Sequence, residues 1–478
     1  MLLRHSAIYL FARGVPGLIG FATIIIYTRL LSTEAYGQYT LVVTGAILVY
    51  ALLYQWLSAS LLRFFSQYQN KPAELFTAIL IGFTFMSFLS GVVGAVLAMV
   101  WWGSVWGWLI VIGVFLTWAQ AWFFINLELV RSRLAPIRYG LISMAKSLIA
   151  LGLGVVLVLW NFDTYGALIG LFAGFLIAGL WASWGQWGGF YGGRLNRELV
   201  RSLLNYGLPL TASFAVAVVI SSTDRFMLAG LIGESATGLY AASQGLAQQT
   251  VGVLMTMVNL AAYPLIIKTL EHSGPNAARA QLRKNAILLL AVGLPVATVF
   301  ILLAPNIAAV FLGKEFQNAG VKLMPWFAVA ALSSSIRAYY FDLAFFLGKR
   351  TYALIMVMAV TALLNVVLNL WLIPMFGILG AAYASVAALG IATGITAILG
   401  HRVFRLPSLH GDIIKLFSAT LGMATVLFLL PEGDGILTLV FSIMLGVAIY
   451  LACVIAFDLC GVRKVVVQVL NFVGRARG

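Results

Sequence analysis

Charge is what this sequence has least of. Asp, Glu, Lys and Arg make up 9% of its 478 residues, against about a quarter in a soluble globular chain. With 62% hydrophobic residues and a mean hydropathy of +1.03, an ordinary water-soluble enzyme, a disordered chain and a fibrous one are all excluded. Cysteine is scarce as well. Cys453 and Cys460 both sit at the end of the last apolar stretch, so no disulfide framework supports the fold. The four histidines, His5, His272, His401 and His410, lie outside or at the margins of apolar stretches without metal-ligand spacing. No metal and no cofactor is therefore expected. Long polar loops are missing too, and with them the usual seat of a general base or metal-binding carboxylates in a membrane-bound glycosyltransferase or polymerase. The chain is not expected to be an enzyme.

What is present is apolar sequence in lengths that cross a bilayer, about 20 residues each. Fourteen spans are expected: 8–30, 39–63, 76–100, 106–127, 139–160, 166–187, 203–228, 239–267, 285–304, 323–347, 351–373, 379–400, 413–430 and 436–457. The connections are too short for a soluble domain, so the backbone must satisfy itself within helices, and the fold class is an all-α polytopic membrane protein. The first span is too long for a signal peptide, contains Arg13 and lacks a small-residue cleavage pattern, and is read as retained. After the last span, Val462, Val465, Val466, Val469, Leu470 and Val473 recur at helical spacing among Arg463, Lys464, Arg475 and Arg477. This pattern fits an amphipathic tail, 459–478, on the cytoplasmic leaflet.

The net charge of +15 would elsewhere suggest nucleic acid, but its distribution gives topology instead. Of the 29 Lys and Arg residues, 24 fall on one side of the predicted membrane, from Arg4 through the 131–138 loop to Arg477. Only Arg29, Arg225, Lys314 and Lys322 fall on the other, and Arg337 lies within a span. Both termini are thus expected in the cytoplasm, with no nucleic-acid partner.

The chain also repeats itself. Val155-Val156-Leu157-Val158-Leu159-Trp160 matches Val366-Val367-Leu368-Asn369-Leu370-Trp371 at five of six positions, at an offset of 211, and Gly166 and Gly377 continue the register. Gly14-Val15-Pro16 corresponds to Gly207-Leu208-Pro209, and Gly37-Gln38-Tyr39 to Gly238-Leu239-Tyr240. The expected organisation is an N-lobe at 1–201, a C-lobe at 202–402, an additional helix pair at 403–458 and the tail. Repeats of this kind bind substrate between lobes that rock alternately.

Ionisable side chains inside spans are costly and usually face a cavity or a partner. Arg13 lies in the first turns of span one, Arg63 leaves span two, and Lys146 enters span five. Arg337 lies roughly 20 Å along span ten at 1.5 Å per residue. Asp342, five residues further on, is poorly placed around an α-helix to pair with it. Arg29 ends span one, and Asp224 and Arg225 end span seven. No carboxylate stands at mid-depth in the first lobe, so the deep set is cationic and suits a phosphate or pyrophosphate. Arg63 and Lys146 also fit simple snorkelling to the interface, and Arg29 with Asp224-Arg225 a structural ion pair. Trp101, Trp102, Trp106 and Trp108 read as an interfacial aromatic belt.

Nearly the whole chain resembles the oligosaccharide flippase (Wzx-like polysaccharide biosynthesis) family of the multidrug/oligosaccharidyl-lipid/polysaccharide exporter superfamily. The residues that carry the resemblance are Arg29-Leu30-Leu31 through Tyr36-Gly37-Gln38-Tyr39, Leu62-Arg63-Phe64-Phe65, Tyr206-Gly207-Leu208-Pro209, Asp224-Arg225, Gly238-Leu239-Tyr240, Tyr263-Pro264, and Ile373-Pro374 with Gly377 and Gly380-Ala381-Ala382. The resemblance implies a flippase in the bacterial inner membrane that moves a polyprenyl-pyrophosphate-linked oligosaccharide outward, working beside a polysaccharide polymerase. It implies a cationic cavity, for which Arg13, Arg63, Lys146, Arg337, Arg29 and Arg225 are the candidate substrate-binding residues. Asp224 and Asp342 are the candidates for ion coupling. A cation-coupled multidrug exporter of the same superfamily and a lipid II flippase remain alternatives.

Overall fold

The computed structural model describes residues 2–70, 72–188, 193, 195–430 and 435–458, apart from the side chains of 2–13 and 351. The predicted amphipathic tail and Cys460 lie outside the described residues. Within them the fold is helical throughout, without a strand. The helices are α1 (Leu2–Leu30), α2 (Thr33–Leu53), α3 (Gln55–Phe64), α4 (Pro72–Val100), α5 (Val105–Ser132), α6 (Pro136–Leu157), α7 (Asp163–Ser183), α8 (Arg197–Leu231) and α9 (Glu234–Ala247). They continue as α10 (Val253–Leu302), α11 (Ala304–Phe311), α12 (Lys314–Ile336), α13 (Leu343–Leu347), α14 (Thr351–Phe376), α15 (Ile378–Val403), α16 (His410–Leu429) and α17 (Ile436–Ala456).

Eleven helical stretches among the described residues are long and apolar enough to cross a membrane. Two of them, Pro136–Ser183 and Glu234–Leu302, each contain two of the predicted crossings, and the shorter apolar helix Gly14–Leu30 accounts for the first. The first of these joined pairs turns at Asn161 and Asp163, where φ is positive, and the second at Gly274 followed by Pro275. Side chains such as Phe88, Met99, Leu363 and Leu421 are largely exposed, as lipid-facing residues are. Local sequence sets the helix ends. The Ser32 hydroxyl accepts the Ala35 N–H at the start of α2, and Asn196 accepts from Glu198 and Leu199 at the start of α8.

The chain forms two compact units, Met1–Ala241 and Ala242–Gly478. In the first, Tyr54, Leu57, Leu61, Phe76, Ile79, Ile125 and Leu203 make one buried cluster, and Leu116, Phe123, Ile142, Leu168 and Phe175 another. The predicted span 39–63 is divided here into α2 and α3, which meet at Tyr54, where φ widens to −117°. In the second unit, Val251, Met255, Ile266, Leu282, Leu289, Tyr340 and Leu343 pack together.

The repeated motif at 155–160 and 366–371 lies towards the turn of a helix hairpin in each unit, α6–α7 and α14–α15. A Cβ on Gly166 would lie 2.8 Å from the Val158 nitrogen, and one on Gly380 would run into the Leu372 carbonyl. The close-packed partner of Gly166 in the second hairpin is therefore Gly380, whereas Gly377 supplies the turn itself at φ +59°.

Candidate functional site

Small residues on two helices decide where the principal cation of the first unit stands. α6 and α7 approach so closely through Gly154, Ala150, Gly170 and Gly174 that a Cβ on Gly174 would lie 2.6 Å from the Lys146 carbonyl. With its backbone pressed against α7, Lys146 extends its side chain along the hairpin to a cavity of about 420 Å³. The wall comes from α2, α3, α5, α6, α7 and α8, including Tyr39, Tyr50, Gln55, Gln120, Phe124, Lys146, Phe175 and Phe214. Lys146 Nζ lies 4.7 Å from the Phe175 ring centroid, within reach of a cation–π contact. Tyr50 packs on Phe124 with ring centroids 5.0 Å apart and donates its hydroxyl to Ser58 Oγ at 3.2 Å. One ammonium, two carboxamides and a set of rings thus face a common space. Such a surface can receive an anionic group and hydrogen-bond to hydroxyls beside it.

Arg225 and Asp224 belong to a separate polar cluster in the same unit. Arg225 Nη1 donates to Thr44 Oγ1 at 2.9 Å, and the Tyr240 hydroxyl donates to Asp224 Oδ2 at 2.6 Å in buried surroundings. Thr237 Oγ1 reaches the Arg225 carbonyl at 3.4 Å. Tyr27 and Tyr39 stand edge to face nearby along α1 and α2, their ring centroids 5.4 Å apart. Arg29 is exposed in the last turn of α1 and Arg63 is exposed in the last turn of α3. Neither lines the cavity. The Arg13 side chain lies outside the described residues.

Arg337 and Asp342 occupy the second unit. Both are more than nine-tenths buried, and Arg337 Nε and Nη1 and Asp342 Oδ1 have no hydrogen-bonding partner. Arg337–Phe341 is a π-helical segment in which the Asp342 N–H donates to the Arg337 carbonyl at 2.8 Å. That wider turn brings residue five nearer to the same side of the helix than the α-helical spacing assumed from sequence.

Several residues had no distinguishing signal in the sequence. Glu234 accepts from Gln38 Nε2 and from Trp106 Nε1, both at 2.6 Å. Thr164 donates to Gln38 Oε1 at 3.0 Å, and the Thr33 and Ser235 hydroxyls meet at 2.7 Å. Trp106 is thereby tied to a carboxylate, unlike the exposed Trp101, Trp102 and Trp108 of the expected belt. The repeat motifs carried part of this information, because α2 and α9 cross where Gly37 meets the Glu234 carbonyl and Gly238 meets that of Thr33. The cavity's Gln55 and Gln120 gave no warning, since isolated amides in apolar helices more often satisfy local backbone.

Helical structure throughout the described residues and apolar helices of spanning length define a polytopic, all-α membrane protein. The family model for polysaccharide biosynthesis proteins matches residues 2–270, and the chain belongs to that family. No curated protein sequence matches it. The fold is similar to that of lipid II flippase MurJ in an inward closed conformation, with a TM-score of 0.76 at 13% identity over 96% of this chain and 99% of that one. It is also similar to an outward-facing multidrug resistance MATE family transporter of the MOP superfamily, with a TM-score of 0.56 at 14% identity over 84% and 95%. A MOP superfamily transporter from Pyrococcus furiosus aligns with a TM-score of 0.53 at 13% identity over 84% and 95%. The fold is therefore the one shared by MurJ and MATE transporters.

Proposed function

We propose that the chain is a flippase that carries a polyprenyl-pyrophosphate-linked oligosaccharide across the bacterial inner membrane, by alternating access, for surface or exopolysaccharide assembly. The observation that carries this reading is Lys146, a cation set in a cavity with amide and aromatic walls. A diphosphate sugar cannot enter hydrocarbon unaided, because buried unpaired polar groups cost on the order of kcal/mol each and a charge far more. An ammonium and carboxamides replace part of its hydration, while the prenyl chain stays in lipid. Arg13, Arg63, Arg29 and Arg225 would act at other stages of the passage, and a polysaccharide polymerase would consume the product. Asp224 is already held by Tyr240, so Asp342, with an unpartnered carboxylate oxygen, is the better candidate to take up a coupling proton.

The test is complementation of a deletion strain, with surface polysaccharide as the readout. Lys146→Ala should lower export at least tenfold at unchanged protein level, as expected when a desolvated charge pair worth about 2–5 kcal/mol is broken. Lys146→Arg should retain much of it. Full export by Lys146→Ala would remove Lys146 from the mechanism. Drug sensitivity of the deletion strain with normal polysaccharide would favour a multidrug exporter instead.

A further inference from the structure

The turn between α5 and α6 binds two arginines to the end of another helix. Arg133 Nη2 donates to the Gln186 carbonyl, and Arg138 Nη2 donates to those of Trp184 at 2.9 Å and Ala182 at 3.4 Å. These are carbonyls at and just beyond the end of α7, which lack partners within the helix. Drawn to one helix end from both sides of a turn where Leu134 adopts φ +53°, the two guanidiniums are fixed near each other. Partial burial and then the Arg138 charge hold the Arg133 pKa below the usual arginine value. The carboxylate closest in sequence, Glu128, pairs with Arg131 at 3.4 Å. The charges are thus matched by carbonyl dipoles through one nitrogen each and, for Arg133, by the Phe65 ring 5.7 Å away, although a guanidinium has five N–H donors.

Their surroundings are apolar and uncovered. Leu134 is 82% exposed, Ile137 63% and Trp184 81%. Because α5 ends at Ser132, α6 begins at Pro136 and α7 ends at Ser183, these side chains stand where the apolar spans meet the headgroup layer. The Lys and Arg asymmetry assigns this edge to the cytoplasmic leaflet. Guanidiniums at the boundary, with Trp, Leu and Ile beside them, present complementary surfaces to a phosphate and to the acyl chain below it.

We infer that Arg133 and Arg138, with Leu134, Ile137 and Trp184, form a binding site for the headgroup of an anionic glycerophospholipid resident in that leaflet. Its exposed Leu134, Ile137 and Trp184 open it to the bilayer, where such lipids are abundant. It is independent of the Lys146 cavity and of the transported substrate. The caps on α7 make it rigid before the lipid arrives, so little ordering entropy opposes binding.

Native mass spectrometry of the full chain, released from mixed phosphatidylglycerol and phosphatidylcholine micelles, tests the inference. The wild type should retain one phosphatidylglycerol that Arg133→Gln/Arg138→Gln loses, with affinity falling about thirtyfold for two interfacial charges. Arg131→Gln, two residues before Arg133 and paired within its helix, should retain it. Equal phosphatidylglycerol retention by the double variant, or equal retention of phosphatidylcholine by the wild type, would overturn the proposal. Should the double variant fail to fold, Trp184→Ala and Leu134→Ser keep both caps. Each should weaken phosphatidylglycerol retention several-fold without changing the Tm of the lipid-free protein, and unchanged retention in both would refute the site.

Discussion

At Glu234 one carboxylate receives two donors from different helices, Gln38 of α2 and Trp106 of α5, and Gln38 in turn receives Thr164 of α7. Removing such an acceptor leaves two part-buried donors unpaired, at about 1–3 kcal/mol. Glu234→Ala should lower the Tm of the detergent-solubilised protein by several degrees. Glu234→Gln, which keeps one oxygen, should cost less. Equal melting of all three proteins would show that water replaces the network without loss. Lys146 and Glu234 also mark the limit of what single residues reveal. A lysine inside an apolar helix is conspicuous because its solvation cost demands an explanation. A glutamate at a helix start is ordinary, being favoured there by the helix dipole alone, so its two distant donors leave no trace in the sequence.

The existence of the helices was legible because hydropathy averages over some twenty residues, and that same averaging hides their breaks. Span 39–63 gave no sign of the interruption at Tyr54, and the π-helical turns at Gln248–Gly252 and Arg337–Phe341 are invisible to composition, whereas the turn after Val158 falls at the break between the predicted spans 139–160 and 166–187. Short motifs succeeded where averaging failed. Gly37 and Gly238, paired by the repeat, meet at the crossing of α2 and α9, since only a missing Cβ lets each lie against the other helix's carbonyl. If the predicted lobes, 1–201 and 202–402, rock apart in alternating access, this crossing, which joins residues of both, must part during each cycle. Thr33 and Ser235, whose hydroxyl oxygens are 2.7 Å apart, offer a direct test. In a chain with Cys453 and Cys460 replaced, Thr33→Cys/Ser235→Cys should form a disulfide that stops polysaccharide export and releases it on reduction. Undiminished export with the cross-link complete would mean that the two helices stay together throughout the cycle.

For the molecule as a whole, orientation rests on a charge count, because a helical bundle has no intrinsic inside or outside. The 24 cations on one side include those of the α5–α6 turn and the 197–201 helix start, whereas Lys314 and Lys322 lie towards the opposite end of α12 from Gly348 and Lys349. The positive-inside rule counts such residues in short loops, and every loop here is short. Ser132→Cys and Gln317→Cys, each in a cysteine-free background, turn the count into a measurement. A membrane-impermeant maleimide applied to spheroplasts should label position 317 and leave position 132 unmodified until the membrane is opened. The reverse pattern would invert the protein, placing the paired arginines of the α5–α6 turn in the outer leaflet. It would also reverse the direction in which any headgroup meets the lysine-bearing cavity, so that a flippase loading from the cytoplasm would no longer fit the charge distribution.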